Sequence, residues 1–157
     1  MIEQISIQKA TLEDISVLAH HRLAMFTDMG VGTPESREAA IELFRPYLEA
    51  NLPGGVYQGW LAKTEDGQVI GGGGLIVEPW PAAARDSRPQ SRRAYVLNIY
   101  TEPEYRGQGV ARQIMTAILD WCRVEGFETV SLHASSLGRP LYESLGFEPT
   151  NEMRLKL

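Results

Sequence analysis

The sequence predicts a mixed α/β domain, in which one mostly antiparallel, twisted sheet of about six or seven strands is flanked by about four helices. Runs rich in β-branched and aromatic residues alternate along the chain with segments of helical periodicity. Asp66-Gly67 separates two such runs and is a strong signal for an antiparallel hairpin. The alternation favours a sheet-and-helix layer over a barrel or a sandwich.

The N-terminal third is predicted to contain one strand and two helices. A partial apolar alternation over residues 2–9 indicates the strand. Thr11 has the side chain of an N-cap, and Thr33-Pro34 repeats the signal with proline at the first helical position. We expect the first helix to bury Ile15, Leu18, Ala19, Leu23 and Phe26, and the second to bury Ile41, Leu43, Phe44, Tyr47 and Leu48.

The central third is predicted to form two strands and a loop. Residues 56–63 and 69–78 are strand-like, but the glycine run 71–74 is unusual in a strand. It indicates strong twist, close approach of a ligand backbone, or a bulge. Segment 80–93 is predicted to be a basic loop that is either solvated or a lid attracting an anionic substrate. Its arginines are Arg85, Arg88, Arg92 and Arg93.

The C-terminal half continues the alternation. Residues 95–101 are predicted to form a strand, and a helix beginning near Val110 ends at Gly126. A strand at 129–133, a short helix at 139–145 and a last strand at 153–157 follow.

Length, charge and cysteine content limit the classes of function. The 157 residues suffice for one domain with a substantial core, which we expect to span residues 1–157. A formal net charge of −5 argues against a wide nucleic-acid surface, because such a surface needs a basic face. No apolar run is long enough for a membrane span, and the single cysteine favours a reducing cytoplasm. A homodimer stays open.

The turn around Gly107 and Gly109 is the strongest candidate for a binding site. It lies between a predicted strand and a helix N-terminus, where unpaired N–H groups and the helix dipole favour an anion, phosphate above all. Glycine tolerates positive φ and lets a ligand approach the backbone closely. Arg106 and Arg112 add positive charge that suits phosphate oxygens. A tight turn without a ligand would have the same spacing.

Two known phosphate loops do not fit this turn. A Walker A loop needs Gly-Lys-Ser/Thr, which the sequence lacks. A dinucleotide fingerprint needs glycine or alanine three residues after Gly109, where this chain has Arg112.

Two motifs together resemble the GNAT acetyltransferase superfamily. Arg106-x-x-Gly109-x-Ala111 matches its Arg/Gln-x-x-Gly-x-Gly/Ala signature, and residues 140–147 resemble its Leu-Tyr-x-x-x-Gly-Phe segment. The resemblance implies acetyl-coenzyme A as cofactor, with the pyrophosphate on the amides of the turn and the pantetheine arm along the preceding strand. The cofactor-binding residues it implies are Ile99, Thr101, Arg106, Gly107, Gln108, Gly109, Val110, Ala111, Arg112 and Ser135.

The resemblance also implies an acid and leaves the base open. Tyr142 has the position of the family's general acid, and a phenol can protonate a thiolate leaving group; a plain core residue is the alternative. Many members have asparagine where this chain has Ser135, and some have a glutamate base early in the fourth strand, where this chain has none. The base candidates are Glu78, which we prefer, Glu102, which we expect to face solvent, His133, or a water chain.

We therefore expect an acetyltransferase that moves an acetyl group from acetyl-coenzyme A to a primary amine by direct attack through a ternary complex. The acceptor is a small-molecule or peptide amine. Metal-ligand spacing is absent from the sequence, so no metal site is predicted. The alternative is a non-catalytic acyl-coenzyme A sensor or interaction module, which the missing strand carboxylate favours. Longer acyl chains or an alcohol acceptor stay open.

Overall fold

The computed structural model of the chain describes residues 4–81 and 91–157. The elements in chain order are β1 (Ile5–Lys9), α1 (Ile15–Asp28), α2 (Pro34–Asn51), β2 (Tyr57–Thr64), β3 (Val69–Pro79), β4 (Arg92–Thr101), α3 (Val110–Val124), β5 (Val130–Leu132) and α4 (Arg139–Ser144). Short 3₁₀ helices precede α1 and α3, at Leu12–Asp14 and Pro103–Tyr105. The strands form one sheet in the order β1-β2-β3-β4-β5, antiparallel except for the parallel pair β4 and β5.

The predicted mixed α/β class is confirmed, although the described residues contain five strands rather than six or seven. The predicted strand at 153–157 is wrong. Its alternating apolar side chains are exposed, Met153 by 93 % and Leu155 by 82 %, and the segment pairs with no strand in the described chain. A period of two says which side chains share a face, but a strand also needs a neighbour for its backbone.

The predicted helix starts are confirmed by their caps. Thr11 and Thr33 each accept a hydrogen bond from a backbone N–H in a capping box, and Pro34 opens α2. The prediction that α2 buries Leu43 is wrong, since this side chain is 75 % exposed. Ile41, Phe44 and Leu48 at spacings of three and four already define the buried face.

Helices cover both faces of the sheet. On one face α3 packs against β4 and the neighbouring strands, with a core that includes Val96, Ile114 and Ile118. On the other face α1 and α2 enclose a second core around Leu18 and Tyr57. Both cores contact β4, which therefore lies between the two helical layers.

The glycines at 71–74 of β3 leave space that atoms of neighbouring elements occupy. A Cβ on each would lie 2.7 Å from the Tyr100 carbonyl at Gly71, 2.8 Å from His21 Nδ1 at Gly72, 2.6 Å from Ile99 Cδ1 at Gly73, and against the Tyr57 ring at Gly74. Such distances are too short for real contacts, so β3 needs its glycines for close approach of α1 and α3.

Only part of the predicted basic loop can be described. Arg85 and Arg88 lie outside the described residues. Arg92 and Arg93 belong to β4, so their assignment to a loop is wrong. Arg92 stacks 4.6 Å from the Phe127 ring and Arg93 pairs with Glu78 on β3, because a long arginine stem can lie along a strand while its head finds a partner. No helix within residues 4–81 and 91–157 is long and apolar enough to cross a membrane.

Candidate active site

The turn before α3 presents a row of backbone N–H groups. Gly107 and Gly109 have φ of +73° and +83°, and Gly109 is the N-cap of α3, which no side chain caps. Within the described parts of the chain, the N–H groups of residues 107–112 have no hydrogen-bond acceptor. A Cβ on either glycine would meet no atom within 4 Å, so the space around the turn is open. With the helix dipole behind it, this turn suits an anion with several oxygens.

The arginine side chains of the turn contact the protein. Arg106 Nε donates to the Thr101 carbonyl at 2.9 Å, and its Nη2 donates to Asp28 Oδ2 at 2.5 Å, which ties the turn to the end of α1. Arg112 Nη2 donates to Ser144 Oγ at 2.7 Å in α4. A direct contact of either guanidinium with phosphate stays a prediction.

The strand before the turn has an open edge. β5 pairs with β4 only from Ala94 to Val96, whereas β4 continues to Thr101. On that edge residues 97–101 have no partner strand in the part of the chain that the structure describes. The predicted contacts Ile99 and Thr101 lie on this stretch. An extended amide chain can hydrogen-bond to such an edge in the way that a peptide does.

A bulge in β4 begins where β4 leaves β5. The pairing of β3 with β4 shifts between Gly72 and Gly74, and Asn98 has a φ of +58° in the left-handed region. Asn98 Nδ2 donates to Tyr57 Oη at 3.0 Å, and Asn98 Oδ1 accepts from Arg22 Nη1 at 2.6 Å. The extra residue lies in β4, opposite the glycine run, so the structure has a bulge in the strand paired with the glycines.

A cavity of about 570 Å³ brings the predicted acid and base together. It lies between β3, β4, β5 and α4, and both Tyr142 and Glu78 line it. Tyr95, Arg93 and His133 also contribute to its wall. The spacing of Glu78 and Tyr142 in the sequence, on a strand and a helix far apart, gave no indication that they share one cavity.

Tyr142 has the properties of a proton donor. Its ring lies 6.0 Å from the Phe147 ring in an edge-on arrangement, and burial raises the pKa of its phenol. Its hydroxyl has no hydrogen-bond partner among the described residues. The hydroxyl therefore stays protonated at neutral pH and is available to a ligand in the cavity.

Ser135 stabilises the loop before α4. Its Oγ accepts the Gly138 N–H at 3.1 Å, and its carbonyl accepts the Arg139 N–H at 2.9 Å. The hydroxyl lies 3.2 Å from a Cβ built on Gly138, so the turn is tight around it. Contact of Ser135 with a cofactor stays a prediction.

The three side chains considered as bases all have partners. Glu78 is bound by the Arg93 guanidinium, whose Nε donates to it at 2.8 Å. Glu102 is only 22 % exposed and contacts His20 Nε2 at 2.9 Å, so the expectation that it faces solvent is wrong. The Tyr100 hydroxyl of β4 also donates to Glu102 at 3.3 Å. His133 hydrogen-bonds to the Tyr95 hydroxyl through Nδ1, and Glu152 lies 3.3 Å from its Nε2.

The arrangement provides three features in one region: N–H groups for an anion, an open strand edge, and a cavity with a protonated phenol. Sequence reasoning missed the buried support of this region, formed by Arg22, Asn98 and Tyr57. The available signal was the asparagine itself, since asparagine tolerates positive φ better than most residues. Among the described residues, no group of three or more His, Cys, Asp or Glu side chains could hold a metal ion.

Comparison with known proteins places these features in context. A family model described as "Acetyltransferase (GNAT) family" matches residues 19–147. The crystal structure of a GCN5-related N-acetyltransferase from Ralstonia eutropha JMP134 is similar over 98 % of this chain and 99 % of that chain, with a TM-score of 0.89 and 30 % identity. A predicted acetyltransferase from Clostridium acetobutylicum, crystallised with acetyl-CoA, has a TM-score of 0.83 and 27 % identity over 98 % of this chain and 96 % of that chain.

A curated human relative matches a shorter stretch. N-acetyltransferase 8B from Homo sapiens is 29 % identical over 96 residues, which are 59 % of this chain and 39 % of that protein. The chain thus matches well under half of that relative's length.

Proposed function

This chain belongs to the GNAT acetyltransferase family, and on that premise we propose that it transfers an acetyl group from acetyl-coenzyme A to a primary amine by direct attack in a ternary complex. The observation that carries the proposal is the row of N–H groups at 107–112 without acceptors in the described chain. When bound, acetyl-coenzyme A supplies an activated thioester and a diphosphate.

The chain's own groups fit that cofactor. The N–H groups from Gly107 through Gln108 to Arg112, at a helix N-terminus, suit a diphosphate. The open edge at Ile99 and Thr101 suits the amide-bearing arm. Ser135 lies in the loop that leads from β5 to α4.

The reaction requires one proton acceptor and one proton donor, and two side chains are proposed for these roles. Forming the amide bond and breaking the thioester bond releases one proton from the amine and delivers one to the sulfur. Tyr142 is the proposed donor, because its hydroxyl is protonated and unpaired. Glu78 is the proposed acceptor of the amine proton, directly or through water, and this weaker assignment requires that Arg93 leave one carboxylate oxygen accessible.

Thiol release from acetyl-coenzyme A across a panel of primary amines tests the proposal. We expect turnover with at least one class of amine and none without an acceptor. A protein that binds acetyl-coenzyme A in calorimetry but turns over no amine would instead be the non-catalytic sensor, which the pairing of Glu78 with Arg93 favours. Absence of both binding and turnover would contradict both functions.

A further inference from the structure

Arg22 on α1 has an unusual environment for a cation. Its side chain is partly buried, with the guanidinium carbon 4.7 Å from the Phe26 ring centre and 4.8 Å from that of Phe44. Nη1 donates to Asn98 Oδ1 at 2.6 Å. Nε is buried and has no hydrogen-bond partner. A buried donor without an acceptor costs free energy, so an acceptor from a bound ligand would stabilise this N–H group.

No carboxylate neutralises Arg22 among the described residues. Arg93, Arg106 and Arg139, which are more exposed, each contact an acidic side chain. Burial lowers the pKa of the Arg22 guanidinium, and the neighbouring Tyr57, with a pKa of about 12, is neutral at physiological pH. Arg22 is thus a partly desolvated positive charge without a carboxylate partner in the described chain.

The contacts of Arg22 leave one edge of the guanidinium free. Phe26 and Phe44 lie within cation–π distance, and Asn98 occupies Nη1. The edge formed by Nε and Nη2 has no partner in the described chain. Two parallel N–H groups on one edge match the two oxygens of a carboxylate.

Arg22 contacts β4, the strand that carries the open edge. Its partner Asn98 forms the β4 bulge, two residues past the last pair with β5. Burial and the charge of Glu78 raise the pKa of Tyr47 on α2, whereas the charge of Arg22 lowers it. Arg22 and Glu78 therefore both act electrostatically on the Tyr47 hydroxyl.

We propose that the Nε–Nη2 edge of Arg22 binds a carboxylate of the acceptor, so that the acceptor is an amine that also carries a carboxylate, as an amino acid does. This rests on the proposed function and specifies its substrate class. The competing role, in which Arg22 only supports the Asn98 bulge, predicts no preference between acceptors.

Matched acceptor pairs test the inference. Each pair consists of an α-amino acid and the primary amine obtained by removing its carboxylate, assayed for thiol release. The wild-type protein should show a kcat/KM about 30-fold or more higher for the amino acid, since truncating one partner of a partly buried charge pair has a large effect. Arg22→Gln should remove this preference, Arg22→Lys should retain part of it, and Arg45→Gln, at an exposed position of α2, should keep it.

A second measurement separates this inference from the proposed function. Calorimetry with N-acetyl amino acids and the matching N-acetyl amines reports Arg22-dependent carboxylate binding even if no amine is turned over. Equal kcat/KM within pairs, equal affinity of the two products, or a preference that persists in Arg22→Gln would each overturn the inference. An aminoalkyl phosphate preferred over the amino acid would overturn the carboxylate assignment. If Arg22→Gln does not fold, the wild-type pairs and Arg22→Lys decide.

Discussion

Burial of Tyr142 favours the protonated form that a proton donor needs. Burial raises the pKa of the phenol, so the protonated form predominates throughout the neutral range. Its hydroxyl is unpaired in the described chain, and its ring is held by contact with Phe147. A fixed ring with a free hydroxyl is what a proton donor to a leaving thiolate needs.

Tyr142→Phe should lower kcat by about 100-fold and leave the affinity for acetyl-coenzyme A unchanged. The substitution removes the donor but keeps the ring that packs on Phe147. Steady-state thiol release and calorimetry measure the two quantities. Tyr105→Phe is the matched control, because it removes a hydroxyl that only donates to Gln68 at 3.0 Å. Turnover equal to wild type in Tyr142→Phe would remove the acid role.

At the scale of elements, β3 and β4 determine the shape of the site. The glycine run of β3 allows α1 and α3 to pack close to the sheet. Opposite this run, β4 contains the bulge at Asn98. At Gly71 the nearest neighbour of an added Cβ would be the Tyr100 carbonyl of β4 rather than a flexible side chain, so backbone would have to move.

Gly71→Ala should lower the free energy of unfolding by about 1–3 kcal/mol. The new Cβ would lie 2.7 Å from the Tyr100 carbonyl oxygen and 3.1 Å from Val110 Cγ1, so β4 or the start of α3 must shift. Urea denaturation measures the change. Gly54→Ala is the control, since a Cβ there meets no atom within 4 Å and the residue is not in the positive-φ region. Equal losses in the two variants would contradict the steric account.

The elements differ in how far the sequence predicts them. Thr33-Pro34 and Gly109 define helix starts through local chemistry, so these boundaries were predicted well. The bulge depends on Arg22 and Asn98, which are 76 residues apart in the chain, and no local pattern indicates such a contact. The predicted strand at 153–157 failed for the related reason that pairing is a property of two segments.

The candidate site divides in the same way. The turn at Gly107 and Gly109 was predicted because its chemistry is local: positive φ and a helix N-terminus. The Asp28 contact of Arg106 and the His20 contact of Glu102 were not predicted, since both partners come from α1. The sequence thus predicts the turn at Gly107 and Gly109, whereas the contacts around the turn depend on tertiary structure.

At the scale of the whole molecule, buried His21 couples stability to pH. It is 2 % exposed, both ring nitrogens lack hydrogen-bond partners, and burial lowers its pKa from 6.5 to about 4, with Glu102 opposing the shift and His20 adding to it. The unfolded chain therefore binds a proton more readily than the folded one. Stability is full above pH 6.5 and decreases as the pH falls to about 4.

The loss between these pH values should be on the order of 3 kcal/mol. Urea denaturation of the wild type and His21→Gln at pH 7.5, 6, 5 and about 4 measures it. The variant should lose this component of the pH dependence, whatever its stability at pH 7.5. His133→Gln, at a position that is 51 % exposed, should retain it. Parallel pH profiles for the wild type and His21→Gln would contradict the assignment.

The central claim is that the N–H groups at 107–112 hold the diphosphate of acetyl-coenzyme A. Amide NMR spectra recorded during titration with acetyl-coenzyme A, and separately with S-acetylpantetheine, test it most directly. The account predicts that acetyl-coenzyme A moves the Gly107 and Gly109 signals strongly, that S-acetylpantetheine, which lacks the diphosphate, does not, and that Gly67, whose N–H is bonded to Thr64, stays unchanged in both titrations. Binding of acetyl-coenzyme A with the Gly107 and Gly109 signals in place would contradict it.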